Sequence, residues 1–294
     1  MKNKILKINK KKPNWIKLRI PIFNEIKNIK KKLRKNYLHT VCEESSCPNI
    51  IKCFNENTAT IMILGNKCTR KCPFCDVLYG NPKNINYYEP FDIIKLIIKL
   101  NINYIVITSV NRDDLYEGGA NHFSKCIGAI KRLYNNIKIE ILVPDFRGKI
   151  DIAIKILSKN KPNVFNHNIE TIKNFYLKVK PGGNYFNSLN LLKKYKNFCP
   201  SVKTKSGLMA GLGETDQQII NVMKDIKKNQ VEIITIGQYI SPSEFHLPIK
   251  RWIKPKKFYY YAKKGYILGF NYIASGPLIR SSYKAKNQIY GKKI

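Results

Sequence analysis

The chain has 294 residues, 44% of them hydrophobic and 11% aromatic, which is enough apolar surface for a sizeable core and excludes a collagen, a coiled coil and a disordered chain. Its 54 Lys and Arg against 19 acids leave a formal charge of +35, a balance that attracts nucleic acid, anionic lipid or an acidic protein without choosing among them. The abundance of Lys beside Asn, Ile and Tyr also fits drift toward AT-rich codons, so part of that charge is compositional.

Met1–Pro21 alternates Lys with isolated apolar residues and holds no hydrophobic stretch of signal-peptide length. Nor does any run reach the length of a bilayer span; even Phe91–Leu100 is interrupted by Asp92, Lys95 and Lys99. A cytoplasmic protein with no membrane association is expected. No basic run is interleaved with stacking aromatics, so no nucleic-acid partner is expected either.

Six of the eight cysteines fall between Cys42 and Cys75, in two sets of three. In a reducing compartment such clusters read as metal ligands and not as disulfides. Cys42, Cys47 and Cys53 follow C-x4-C-x5-C and lie just before a predicted strand, Thr58–Gly65. Cys68, Cys72 and Cys75 follow C-x3-C-x2-C directly after it, a spacing that turns three thiolates onto one centre. Three thiolates leave one iron of a four-iron cube open, which is what a reactive small molecule needs. A structural zinc ribbon would want two C-x2-C pairs, and only Cys72 with Cys75 fits. Cys126 and Cys199 lie outside both sets and read as buried, inert thiols.

Beyond the loop, β-branched runs alternate with amphipathic stretches. Strands are predicted at Tyr104–Ser109, Lys138–Pro144, Pro162–Asn168, Val202–Ala210 and Val231–Ile240, after Thr58–Gly65. Helices are predicted at Phe91–Leu100, Ala120–Asn135, Asp151–Ser158, Ser188–Phe198 and Thr215–Asn229. Six βα units with right-handed crossovers predict an α/β fold, a partial (βα)6 TIM-like barrel with N- and C-terminal extensions. The divisions are 1–57, carrying the first cysteine set; 58–257, the barrel; and 258–294, closing over the first set. Cys68, Ser109, Asp145 and Asn168 all end or follow strands, where βα barrels gather their chemistry.

The cysteine loop after a strand resembles that of the radical S-adenosylmethionine (SAM) enzymes. With Thr40-Val-Cys42-Glu-Glu before it, Cys68-Thr-Arg within it and Arg280-Ser281-Ser282-Tyr283 near the end, the chain resembles the lipoyl synthase family within that superfamily. That resemblance implies a SAM-cleaving [4Fe-4S] cluster on Cys68, Cys72 and Cys75. It also implies an auxiliary [4Fe-4S] cluster on Cys42, Cys47, Cys53 and Ser281, with Ser282 as the fallback ligand, and sulfur insertion at C6 and C8 of a protein-bound octanoyl chain. Gly118 and Gly119 are implied at the methionyl end of SAM, and Asn168 and Glu170 at its ribose or amino group. By themselves the glycine pair also fits an ordinary strand-to-helix loop, the Glu170-Thr171 pair a helix cap, and His167 a structural role. Thr204–Thr215, Thr235–Ser243 and His246-Leu-Pro248 match the family as well, whereas Val179–Tyr185 departs from its more usual Arg-Pro.

The implied partners are octanoylated carrier domains (2-oxoacid dehydrogenase E2 and the glycine-cleavage H protein), an electron donor such as flavodoxin or ferredoxin, and an iron–sulfur carrier for cluster repair. Acidic carriers would be steered by the basic surface. Biotin synthase shares the second cysteine set but explains neither C-x4-C-x5-C nor Arg280–Tyr283. A zinc-stabilised nucleic-acid binder explains only the charge.

Overall fold

The structure, a computed structural model, describes residues 12–16, 39–40 and 58–292, with the backbone alone for His39, Thr40, Thr58 and Ala59. One sheet of eight strands dominates it. His39–Thr40 (β1) pairs antiparallel with Thr58–Ile63 (β2), which starts the parallel series. A small two-stranded ribbon, Lys67–Cys68 (β3) and Leu78–Tyr79 (β4), follows, then helix Glu89–Leu100 (α1) and Tyr104–Ser109 (β5). Ala120–Leu133 (α2), Lys138–Leu142 (β6), Ile150–Leu157 (α3) and Val164–Asn166 (β7) continue the alternation. A 3-10 turn, Lys173–Phe175, leads into Tyr176–Val179 (α4), Tyr185–Phe198 (α5) and Lys203–Ala210 (β8). Asp216–Lys228 (α6), Ile233–Gln238 (β9), Pro255–Ile267 (α7), Tyr272–Gly276 (β10) and Ala285–Ile289 (α8) complete the chain.

The strand order β1-β2-β5-β6-β7-β8-β9-β10 leaves both edges unjoined, so the barrel is open. The six expected parallel strands are present, and β10 adds a seventh, in register with β9 from Tyr272↔Ile233 to Gly276↔Gly237. The βα alternation therefore runs on past residue 257, because α7 begins at Pro255 and feeds β10. Tyr272-Ile-Ala-Ser-Gly carries only a short apolar run, which gives little periodicity to read.

Side chains alternate across each strand with period two. Ile105, Ile107, Ile139, Ile141, Phe165, Ile234, Ile236 and Ile273 face the helices and build the main core. Their neighbours face the concave side: Tyr104 and Val106 pack with Ala285 there, and Ile233, Tyr272 and Ala274 with Ile279. The final segment thus lies along the inner face of the sheet. Lys203 Nζ donates to Ile289 O at 2.8 Å, and Tyr272 OH to Lys292 O at 2.7 Å, tying it to the starts of β8 and β10. Helix α6 shows how sharply the local sequence fixes an end: Thr215 caps it and Gln218 reaches back in a reciprocal capping box.

Candidate radical SAM site

The C-x3-C-x2-C loop sits beyond the end of β2. Its ribbon is closed by Gly80 N–H donating to Cys68 O at 3.0 Å, and its tip by Cys75 N–H to Cys72 O at 3.0 Å. Cys68 is buried, while Cys72 and Cys75 are half-buried. The Cys68 sulfur accepts from Arg70 N–H at 3.4 Å, Asn111 N–H at 3.4 Å and Asn111 Nδ2 at 3.5 Å, which hold it in place. Burial, with a further push from Cys75, raises the Cys72 thiol to about 12, and burial raises Cys75 to about 11. The Cys72 and Cys75 thiols, which resist ionising beside one another, are matched to a cationic centre that would take up their charge. Among the described residues no three His, Cys, Asp or Glu converge as ligands of a single metal ion. Three cysteine sulfurs in one short loop are the soft donor set that a four-iron cluster would take, and in that chemical sense the residues fit it.

Arg70, inside the loop, fixes its placement. The guanidinium donates through Nε and Nη2 to Asp113 at 2.6 and 2.7 Å and through Nη1 to Asp145 at 2.8 Å. Asp113 follows β5 and Asp145 follows β6, so one planar fork ties the cysteine loop to two strand ends. Although burial pushes both carboxyls upward, Arg70 holds them below the ordinary carboxylate range. Lys149 Nζ braces the loop between β5 and α2, which carries Asp113, through Asp113 O at 2.8 Å and Leu115 O at 2.6 Å.

Gly118 and Gly119 turn from β5 into α2 with φ of +64° and +93°. A Cβ at Gly119 would collide with Leu64 Cδ1, and one at Gly118 would stand 3.0 Å from Phe146 Cδ1. Left-handed backbone and close packing together demand glycine there. Asn168 and Glu170 follow β7. Glu170 N–H donates to Gly207 O at 2.9 Å and its carbonyl accepts Met209 N–H at 2.8 Å, while its φ of +70° bends the chain toward the mouth. Burial raises the Glu170 carboxyl, against the pull of Lys180. Lys180 Nζ lies 3.3 Å from Asn168 O and 3.4 Å from Tyr176 OH, in the stretch that departs from the family pattern. His167 is buried and pushed down to about 3 by burial and by Lys180. It is neutral, with Nδ1 donating to Val143 O at 2.8 Å and Nε2 facing Ser188 Oγ at 3.0 Å.

Ser281 enters from the far end of the chain. Asn166 Nδ2 donates to its hydroxyl at 2.8 Å, and the hydroxyl donates to Asn168 Oδ1 at 3.1 Å. Asn166 is held in turn by Glu140 Oε1 at 2.9 Å, which also pairs with Lys205 Nζ at 2.8 Å. The structure therefore brings Ser281 to Asn168. Cys42, Cys47 and Cys53 lie outside the described residues. Cys126 and Cys199 are fully buried. Reading motifs alone missed Arg70, Asp113 and Lys180, although Arg70 stands between two ligand positions and Lys180 in the divergent stretch.

An open parallel barrel with this loop at the C-terminal ends of its strands defines the radical SAM class, and the profile of the Radical SAM superfamily matches residues 62–226. Solved structures share the fold. The Streptococcus suis protein SuiB, bound to precursor peptide SuiA, aligns with a TM-score of 0.58 at 15% identity, over 85% of this chain and 53% of that chain. A methylornithine synthase aligns with a TM-score of 0.56 at 14% identity, over 85% of this chain and 81% of that chain. The N-terminal domain profile of lipoyl synthase matches residues 2–47. The lipoyl synthase of Pseudomonas putida strain F1 is 50% identical over 284 residues, covering 97% of this chain and 84% of that protein. That of Pseudomonas fluorescens strain SBW25 is 51% identical over 278 residues, covering 95% and 82%. The chain belongs to the lipoyl synthase family of radical SAM enzymes. Among the described residues no helix is long and apolar enough to cross a membrane.

Proposed function

We propose that this chain inserts two sulfur atoms, at C6 and C8, into an octanoyl group carried on a lysine of a lipoyl-carrier domain. The observation that carries the reading is the placement of Cys68, Cys72 and Cys75 in one short loop beyond the end of β2, in a chain half identical to lipoyl synthases. Cys68, Cys72 and Cys75 would hold a [4Fe-4S] cluster, which would supply the electron for reductive cleavage of SAM and so the radical chemistry that removes hydrogen from unactivated C–H bonds.

The protein's own residues place and shield that chemistry. Arg70 locks the loop to Asp113 and Asp145. Asn168 and Glu170, beyond β7, are the polar groups assigned to the ribose or amino end of SAM, and the tight turn at Gly118 and Gly119 is assigned to its methionyl end. Cys42, Cys47, Cys53 and Ser281 are assigned to the auxiliary cluster that surrenders sulfur. Ser281 takes the ligand role from the family's Arg-Ser-Ser-Tyr pattern at Arg280–Tyr283, with Ser282 as the fallback. A hard oxygen among soft thiolates makes a ligand suited to leaving.

Residues 1–57 then serve as the auxiliary-cluster arm, the barrel runs from residue 58 through β10, and the residues after β10 serve as the closing segment. The substrates are octanoylated E2 and H-protein domains, with a flavodoxin or ferredoxin as reductant and an iron–sulfur carrier rebuilding the consumed cluster. A reducing cytoplasm, which keeps thiols free, suits this chemistry. The test is Cys42→Ala, assayed anaerobically for both products. SAM cleavage to 5′-deoxyadenosine persists while lipoyl formation stops; lipoyl formation at the wild-type rate would refute the sulfur-donor assignment.

A further inference from the structure

The Ser241–Leu247 segment, which follows β9, reaches across the mouth to the tip of the cysteine loop, 171 residues away in sequence. It grips two points of the C-x2-C turn, Pro73 and Cys75. Leu247 N–H donates to Pro73 O at 2.9 Å, and His246 Nε2 lies 3.2 Å from Cys75 O. Tyr239 OH anchors the segment through Leu247 O at 2.8 Å. Cys75 O can only accept, so the proton of the ring must sit on Nε2. Nδ1 is then an acceptor, and Ser243 Oγ stands 2.8 Å from it, able to donate. The Ser243 oxygen is itself fixed by Phe245 N–H at 3.3 Å. Asp76, 3.7 Å from Nε2, is beyond hydrogen-bonding distance. The His246 side chain is only 17% exposed, so the contact is sheltered from water.

We infer that His246 is a positioning residue for the radical-generating centre: it holds the Cys75 peptide, and with it the Cys72–Cys75 turn, in the orientation from which those sulfurs engage iron. The inference rests on the assignment of Cys68, Cys72 and Cys75 to the SAM-cleaving cluster. Ser243 sets the tautomer, His246 delivers the donor, and Leu247 adds the second backbone anchor. Outer partners of metal ligands act by orienting them, and their loss typically weakens metal or ligand engagement about 10- to 100-fold.

The test uses the full chain, reconstituted anaerobically with iron and sulfide, as wild type, His246→Ala, His246→Gln and Cys72→Ala. Iron content, the electron paramagnetic resonance spectrum of the dithionite-reduced protein with and without SAM, and the SAM dissociation constant are measured for each. In His246→Ala, SAM binding weakens about tenfold and the SAM-induced spectral change broadens. His246→Gln, whose amide can donate to the same carbonyl, recovers to within about threefold of wild type. If His246→Ala matches wild type in spectrum and affinity, or if Gln behaves as Ala does, the inference is overturned. Should the Ala variant lose its iron altogether, recovery in the Gln variant decides. Separately, a Cys72→Ala protein with an unaltered spectrum and SAM response would remove the cluster assignment itself, whatever His246 does.

Discussion

At the barrel mouth Arg70 is paired with two carboxylates from two strand ends, whereas on the inner face of the sheet Lys205 is paired with Glu140 between β8 and β6. The Lys205 and Glu140 side chains are each 1% exposed. Those of Arg70 and Asp145 are 5% and 4% exposed, but Asp113, the other partner of Arg70, is 32% exposed. The interior pair has no access to water, and its remaining contacts are Tyr104 OH to Glu140 Oε2 at 2.8 Å and Asn166 Nδ2 to Glu140 Oε1 at 2.9 Å. Burial pulls the Lys205 ammonium below its ordinary range even against the attraction of Glu140. The mouth pair constrains a loop that must present sulfurs, while the interior pair supports the asparagine that holds Ser281. Similar charge chemistry therefore has a largely stability-related role in one place and a largely geometric role in the other.

The strongest way to break the comparison is Lys205→Met, which removes the cation and leaves Glu140 buried alone. The expected loss is about 3–5 kcal/mol of unfolding free energy, read as a lower urea midpoint at unchanged slope. Adding Glu140→Gln should restore most of it, because the amide still accepts from Tyr104 and no lone charge remains. A double variant as unstable as the single one would mean that the cation packs the interior and does not neutralise it.

The mouth network should fail differently. Arg70→Lys keeps the charge but loses the planar fork that spans Asp113 and Asp145, so one partner is released. Stability should change by less than about 1 kcal/mol, since Asp113 can turn to solvent, while reductive SAM cleavage falls about 10- to 100-fold. Thermal unfolding and 5′-deoxyadenosine formation measured on the same protein separate the two effects. A parallel fall in both would assign Arg70 a structural role like that of Lys205.

The difference between the two networks also explains what could be read from the sequence. The Cys68, Cys72 and Cys75 loop stood out because a spacing within eight residues is a local property, and β2 and β5 to β9 were legible from β-branched runs bounded by turn residues, whereas the two-residue strands β1, β3 and β4 were too short to read. Lys205 was not legible: among 54 basic residues it looks like any solvated lysine, and only the fold supplies Glu140, 65 residues away. The meeting of Ser281 with Asn166, 115 residues apart, likewise depends on the last segment lying along the inner face of the sheet. β10 escaped because its apolar run, Tyr272-Ile-Ala, is only three residues long before Ser275 and Gly276. Arg70 was visible as part of a motif, but its two carboxylate partners come from loops whose spacing has no period.

A third ion network, nearer to solvent, extends the comparison to its weakest case. Asp216, the first residue of α6, accepts from Arg251 Nη1 at 2.8 Å, Tyr261 OH at 2.6 Å and Lys257 Nζ at 2.7 Å. Burial is the largest single influence and pushes its carboxyl up, but the three donors together overcome it and hold the carboxyl at about 2, below the ordinary 3.8. A carboxyl depressed in the folded state contributes stability above its unfolded value and loses it as the pH falls through the folded one. The window is therefore from about pH 4 down to about pH 2. Because Lys257 is 52% and Arg251 36% exposed, solvent screening limits the contribution to about 1 kcal/mol. Urea midpoints of wild type and Asp216→Asn should differ by that amount near neutrality and converge as the pH is lowered through the window. A gap that stays constant with pH would show that Asp216 acts through its hydrogen-bond geometry alone, and that charge matters in this fold only where water is excluded.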